Sequence, residues 1–266
     1  MSQRVLLVAV VVLLGGAALL DVAGVVPGAG VGAIPFLLLL AAGFAVWRAA
    51  WPRRAAETAT DWDIPLLGVG SARLDLTFGA GELSLSAETP AGILLAGRCA
   101  GAARQRVDRA DGEAAITLRQ PLSLLGRRRA DWRLMLSPAV TWGRIRVAVG
   151  ASQAALDFSG LAVEALILEA VRTRLEALLP RRGEVVLQLS GGRATLHVPG
   201  DVPAEVINEV LLGAVTIDKG RFTADETGER WVTPDYAGGE DGLRLRLKGG
   251  LGEIRVVIGE AGAINV

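Results

Sequence analysis

Large apolar residues recur every five positions in one stretch of the chain. Two sets share this spacing: Leu156, Leu161, Leu166 and Val171, and then Phe158, Val163 and Leu168. A helix turns about 100° per residue and would spread the first set over widely separated directions. Short strands that turn a corner every five residues would instead stack it in one interior column. The spacing therefore predicts a β-solenoid.

From residue 71 onward, apolar and polar residues alternate. The segments ARLDLTF and GELSLSA each place their large apolar residues on one face, with Gly79 and Gly81 at the corner between them. Similar units follow a glycine as GRIRVAV, GEVVLQL, GRATLHV, GLRLRLK and GEIRVVI. A β-sandwich with hairpins would also alternate in this way, but the five-residue spacing favours the solenoid. Between residues 97 and 130 the pattern fades and indicates only a hairpin around Asp111-Gly112.

Two segments also carry a helical pattern. Residues 161–179 are rich in good helix formers, and Leu168, Val171 and Leu175 fall on one helical face before Pro180. Residues 203–212 show a weaker version of the same pattern. In the solenoid interpretation both segments are strands with their polar residues facing outward.

Two long apolar runs, residues 5–20 and 31–47, precede the alternating part. Each is close to the length of helix that crosses a hydrocarbon core of about 30 Å. Residues 1–54 are therefore predicted to form a transmembrane helical hairpin, residues 55–70 a linker, and residues 71–266 a β-solenoid domain. A cleaved signal peptide is the alternative interpretation of the first run.

Basic residues after the second run predict the orientation. Arg48, Arg53 and Arg54 follow that run, whereas the loop between the runs carries only Asp21 as a charge. Cytoplasmic flanks of membrane helices carry the excess of Arg and Lys. The N-terminus and the C-terminal domain are both expected in the cytoplasm, and the chain is expected to be a two-helix protein of the cell membrane.

Composition narrows the classes of function. The chain has 28 basic and 28 acidic residues, interleaved along its soluble part, so it has no basic field that would attract nucleic acid. Its single cysteine, Cys99, excludes an intrachain disulfide and a multi-cysteine zinc site. The 34 glycines and the 5% aromatic content suit narrow strands with frequent corners.

No catalytic, cofactor-binding or metal-binding residue is predicted. His197 is the only histidine, and no residue is spaced to share a metal or a proton with it. It is interpreted as a surface residue of a strand. The sequence has neither a G-x-S-x-G elbow nor a phosphate-binding glycine loop followed by lysine. The arginines at 127–129 are interpreted as a solvated loop, with contact to anionic lipid as the alternative.

The membrane hairpin, the short linker, LDLTFGAGELSLSA and the later LHVPGDVPAEVINEVLLGAVTI resemble the bacterial toast-rack and LiaF-like group of cell-envelope stress proteins. The resemblance rests on residues 79–85, on residues 198–202 and on the later corner at Gly213. It implies a single-stranded right-handed β-solenoid, no catalysis, and a role in sensing or damping envelope stress through partner proteins. The leucine- and alanine-rich residues 161–179 depart from the family pattern.

The expected function is that of a non-enzymatic, membrane-anchored scaffold or regulator without a cofactor. Its expected partners are the lipid bilayer and other membrane or regulatory proteins, with a homo-oligomer left open and no nucleic acid. Two alternatives stay open at this point. One is an adhesin-like module that faces outward, and the other is a small-ligand carrier with a pocket that sequence does not reveal.

Overall fold

A computed structural model describes residues 59–100, 103–120, 130–239 and 241–259. These residues form strands and no helix, and all the strands join one sheet. The first strands are β1 (Thr60–Pro65), β2 (Ser71–Ser86), β3 (Ile93–Ala100), β4 (Arg104–Ala110), β5 (Glu113–Arg119), β6 (Ala130–Leu136), β7 (Thr141–Asp157), β8 (Ala162–Val163) and β9 (Ala165–Ala170). The remaining strands are β10 (Thr173–Leu178), β11 (Gly183–Leu189), β12 (Gly192–Pro199), β13 (Ala204–Val210), β14 (Ala214–Ile217), β15 (Thr223–Ala224), β16 (Arg230–Val232), β17 (Leu243–Gly249) and β18 (Glu253–Gly259).

The helical interpretations of residues 161–179 and 203–212 are therefore wrong, because β8, β9, β10 and β13 occupy these segments. The predicted membrane hairpin at residues 1–54 and the arginines at 127–129 lie outside the described residues. Within the described part of the chain, nothing forms a helix of the length and apolar character needed to cross a membrane.

Parallel pairing arranges the long strands in two ladders. The first ladder runs β5, the first half of β2, the first half of β7, β9, β11, β17 and β13. The second runs β6, the second half of β2, the second half of β7, β10, β12, β18 and β14. Each rung is thus one strand of the first ladder, a corner, and one strand of the second.

The order of the rungs differs from the order of the chain at both ends. The rung formed by β2 has the rung of β5 and β6 on one side and the rung of β7 on the other. The rung that consists of β17 and β18 has two neighbours. On one side lies the rung of β11 and β12, and on the other side lies the rung of β13 and β14. The rungs therefore do not follow one another in chain order, as the turns of a regular β-solenoid would.

Antiparallel strands extend the ladders where the parallel rungs stop. β4 pairs with β5, and β3 pairs with both β6 and β1. At the other end β16 pairs with β13, and β15 pairs with β16. β1 lies inside residues 55–70, the segment predicted as a linker. The hairpin at Asp111-Gly112 is confirmed, with φ of 52° and 77° at its two turn residues.

Glycine is required at the corners because strands of neighbouring rungs approach closely there. Gly81 takes φ +131°, and a Cβ at this position would lie 2.0 Å from the Ala130 carbonyl oxygen. Gly192 takes φ +97°, and a Cβ would lie 2.2 Å from the Thr173 carbonyl oxygen. The corner predicted at Gly79 and Gly81 is confirmed, since it separates the two halves of β2.

The interior is built from columns that run across rungs. By register, Leu166 lies between Ile145 and Val185 in the first ladder, and all three are buried. Leu156 belongs to the second ladder, where it pairs with Leu85. The residues spaced by five therefore do not form one column, although most of them are buried.

Val171 is the member of that set that faces solvent, with 50% of its surface exposed. It lies at the corner between β9 and β10, next to Arg172, which takes φ +53°. The prediction that Val171 is an interior residue is wrong because the chain turns at this position.

Candidate interaction surfaces

His197 contacts a carboxylate that the sequence did not reveal. Its Nε2 atom lies 3.2 Å from Oε1 of Glu176, and its side chain is only 12% exposed. The two residues are 21 positions apart, and the parallel pairing of β10 with β12 brings them together. The interpretation of His197 as a surface residue is therefore wrong: it is a largely buried strand residue with one acidic neighbour. The described residues contain no cluster of three or more potential ligands that could hold a metal ion.

Charged side chains on the outer face of the first ladder are paired across neighbouring rungs. Arg146 donates from Nε and Nη2 to the two carboxylate oxygens of Glu169, at 3.0 and 2.9 Å. Its Nη1 atom lies 3.7 Å from Oδ2 of Asp75 on the other side. The hydrogen bonds to Glu169 raise the pKa of Arg146. Asp75, Arg146 and Glu169 thus form an ion-pair network that spans three strands, β2, β7 and β9.

A buried carboxylate joins the last part of the chain to β13. Glu205 has a side chain only 7% exposed, and it accepts hydrogen bonds from Arg230 Nε at 2.6 Å, Arg244 Nε at 2.9 Å and the Tyr236 hydroxyl at 3.0 Å. Burial pushes the pKa of Glu205 upward, but these three donors outweigh burial and the net pKa lies below its ordinary value. The cluster holds β16 and β17 against β13. Sequence alternation could not identify it, because its members come from separate strands.

Apolar side chains project from the corners of several rungs. Val171 is 50% exposed, Leu251 66%, Leu212 77% and Leu211 88%. The Leu211 amide donates to the Gly249 carbonyl oxygen at 3.2 Å, so the corners of the last two rungs are neighbours. We call these four residues the corner ridge. The sequence carries a signal for Leu251, which has glycine on both sides in GLG at 250–252, as expected of a residue in a turn.

The second ladder ends at β14. This strand pairs with β18 on one side, and no described strand pairs with its other edge. A groove follows the open edge and is lined by Val215, Ile217, Asn208, Lys219 and Trp231. Beside it, the first ladder continues past β13 into β16 and β15. The end of the stack is thus closed on the first ladder and open on the second.

Comparison with known proteins assigns this architecture. Residues 53–198 match the family model described as the N-terminal domain of toast_rack, DUF2154. The chain belongs to the toast-rack family. The matched segment ends within β12, so three of the four corner-ridge residues, Leu211, Leu212 and Leu251, lie beyond it, as does the open edge of β14.

One solved structure shows the same fold as this toast-rack protein. A "putative cell adhesion protein" from Clostridium sporogenes ATCC 15579 aligns with a TM-score of 0.66 and 17% identity, covering 76% of this chain and 99% of that one. A "putative adhesin" from Bacteroides fragilis NCTC 9343 aligns with a TM-score of only 0.26 and 10% identity, covering 74% of this chain and 95% of that one. A score this low does not establish a shared fold. No curated protein matches the sequence.

Proposed function

We propose that this toast-rack protein is a non-enzymatic, membrane-anchored scaffold or regulator that takes part in bacterial cell-envelope stress sensing through protein partners. The observation that carries the proposal is the corner ridge. Leu211, Leu212 and Leu251 expose most of their surface on two adjacent rungs. Contiguous exposed apolar side chains mark interaction surfaces, because leaving them in water costs free energy that a partner recovers.

The polar clusters support a structural role. Arg146 with Glu169, and Glu205 with Arg230 and Arg244, satisfy one another by hydrogen bonds. A catalytic group needs access to a substrate in addition to a tuned pKa, and these groups are committed to neighbouring strands. We also propose that the fold is the right-handed β-solenoid that the family resemblance implies. The two ladders support this, because both pass through the same rungs in the same order.

The membrane part of the proposal rests on sequence. The apolar runs at residues 5–20 and 31–47 suit a hairpin of two spanning helices, and Arg48, Arg53 and Arg54 favour a cytoplasmic domain.

The test compares complemented strains of the native bacterium under a cell-wall antibiotic. Deletion of the gene is expected to change transcription of the envelope stress genes, and the wild-type gene is expected to restore it. A Leu211→Ser, Leu212→Ser double variant is expected to fail. Leu67→Ser is the matched control, because Leu67 is 72% exposed but lies between β1 and β2, away from the ridge. An unchanged stress response in the deletion strain would refute the proposal.

An outward-facing, adhesin-like module is the second candidate, favoured by the similarity to the structure from Clostridium sporogenes. Labelling of an introduced cysteine by an impermeant thiol reagent on intact cells separates the two. Glu226→Cys is suitable because Glu226 is exposed in a turn. Cys99 does not interfere, since it is fully buried and burial raises the pKa of its thiol to about 12. Labelling before cell lysis would support the adhesin, and labelling only after lysis the cytoplasmic scaffold.

A further inference from the structure

The open edge of β14 differs from the other free edges of the described strands. β4 has the sequence RQRVDRA and β1 has TDWDIP, so charges or proline occupy both, and β15 has only two residues. Charge, proline and shortness are the devices that prevent a free edge from pairing. β14, with the sequence AVTI, contains no charge and no proline.

The free backbone donors of β14 can be assigned from its pairing. The Ala214 amide donates to the Gly252 carbonyl oxygen at 2.9 Å, and the Asp218 amide donates to the Val256 carbonyl oxygen at 3.0 Å. Donors alternate between the two sides of a strand. The amides of Val215 and Ile217 therefore point into the groove.

The side chains at this edge end two interior columns, with Val215 partly buried and Ile217 only 7% exposed. Val215 is in register with Ile254 and Ile217 with Val256, which places both at the end of the apolar interior. A strand added beside β14 would continue these columns with two apolar side chains separated by one residue. Lys219 is the charged residue among those lining the groove, so it favours an acidic residue in the occupant.

The neighbouring first ladder limits what fits. β16 and β15 extend it two strands beyond β13, which at about 4.8 Å per strand recesses the edge of β14 by roughly 10 Å. A recessed edge suits one extended chain better than the flat face of a second copy.

We propose that β14 binds an extended segment of a partner protein by strand addition. The segment has two apolar residues that alternate with a polar residue, and it has no basic residue opposite Lys219. Backbone hydrogen bonds from the Val215 and Ile217 amides provide affinity, and the two apolar columns that end at these residues provide selectivity. This inference rests on the proposed function only in assuming that the protein acts through protein partners.

The test measures binding of a fluorescent peptide to the full-length protein in detergent. The probe, GEIRVVIG, copies residues 252–259, which supply the strand that pairs with the other side of β14. Wild type is expected to bind it at least tenfold more tightly than GESRSVIG, in which both inward-facing residues are serine. Equal binding of the two peptides would overturn the proposal.

Val215→Pro removes one groove-facing donor, and Val215→Ala is its matched control because both variants lose the valine side chain. Val215→Pro is expected to weaken binding at least tenfold relative to Val215→Ala. Equal affinity of these two variants would overturn strand addition. If Val215→Pro fails to fold, Lys219→Glu takes its place and is expected to lose severalfold affinity for GEIRVVDG, in which Asp stands opposite Lys219 in the register that β18 has with β14; no loss would contradict the proposal.

Sedimentation of the wild type without peptide tests the competing occupant. If a dimer forms with rising concentration and Val215→Pro abolishes it, the occupant of the β14 edge is a second copy of this chain and not a partner peptide. If the peptide does not bind but deletion of the gene still changes the stress response, strand addition is refuted and the proposed cellular role stands. If the peptide binds but deletion of the gene leaves the stress response unchanged, the proposed cellular role is refuted and the binding site at β14 stands.

Discussion

At the scale of single residues, the corners between the ladders decide which side chains the fold tolerates. Gly81 and Gly252 turn two of these corners at φ +131° and +138°, where L side chains are strained. The corner between β9 and β10 has Arg172 at φ +53° instead. Arginine in the left-handed region stores backbone strain that glycine would not.

Arg172→Gly is accordingly expected to stabilise the protein by about 0.5 to 1 kcal/mol, even though it adds freedom to the unfolded chain. Arg174→Gly is the control, since Arg174 is exposed within β10 and is not among the residues with positive φ. That variant is expected to lose roughly 0.5 to 1 kcal/mol, as glycine does within a strand. Urea unfolding of the full-length protein in detergent measures both, and destabilisation by Arg172→Gly would contradict this account of the corner.

Glu205 makes the stability of the fold depend on acid pH. Because its folded pKa lies below its ordinary value near 4.5, the ionised form contributes stability above that pH, and the contribution is lost as the pH falls through the folded pKa. Glu205→Gln is expected to cost about 1 to 3 kcal/mol at pH 7. The difference from wild type should shrink below about pH 4.5.

Unfolding free energies of both proteins between pH 7 and pH 3 provide the measurement. Glu209→Gln is the control: Glu209 faces Arg246 and Lys248 at 3.3 and 3.5 Å but is much more exposed, so its cost should stay below about 1 kcal/mol. A constant gap between wild type and Glu205→Gln across this range would show that the carboxylate is not held ionised by its donors.

At the scale of elements, the strands are stabilised by columns of side chains contributed by successive rungs. Leu166 is fully buried between Ile145 and Val185, whereas Val171 in the same five-residue series is half exposed. Leu166→Ala is expected to cost about 2 to 5 kcal/mol through lost burial and a residual cavity, and Val171→Ala less than about 0.5 kcal/mol. Similar costs in denaturant unfolding would mean that the cross-rung columns are assigned incorrectly.

The sequence was sufficient to predict the strands with clear alternation, since alternation directly reports which residues face the interior; these are β2, β7, β11, β12, β17 and β18. It also identified the corner at Gly79 and Gly81 and the hairpin at Asp111-Gly112, where turn chemistry is local. It was insufficient for the arrangement of the rungs. Alternation records the inward face of a strand but not which strand lies beside it, and several repeats here are interchangeable in pattern.

The same limit explains the residues that sequence missed. Glu176 beside His197, and Arg230 and Arg244 on Glu205, meet only through pairing between strands distant in the chain. The helical pattern of residues 161–179 failed because intrinsic propensity is a weak preference, and burial of β9 and β10 against their neighbours overrides it.

At the scale of the whole molecule, residues 1–54 are the membrane anchor that we propose. Two apolar runs without internal charge would bury more apolar surface in a bilayer than a peripheral helix could. The full-length protein is expected to stay in the membrane pellet after alkaline carbonate extraction, and a variant that lacks residues 1–54 is expected in the supernatant. Release of the full-length protein by carbonate would contradict the anchor.

The order of the rungs also constrains synthesis. Once the ribosome has produced β13 and β14, one edge of β11 and one edge of β12 are still unpaired. β13 and β14 are then the next strands available, but they are not the strands that pair with these edges in the folded protein. The correct neighbours, β17 and β18, emerge later and occupy the place between these two rungs. Vectorial folding from the N-terminus therefore cannot finish this domain rung by rung: the strands made last are interior ones, and the terminal rung settles only after they have entered.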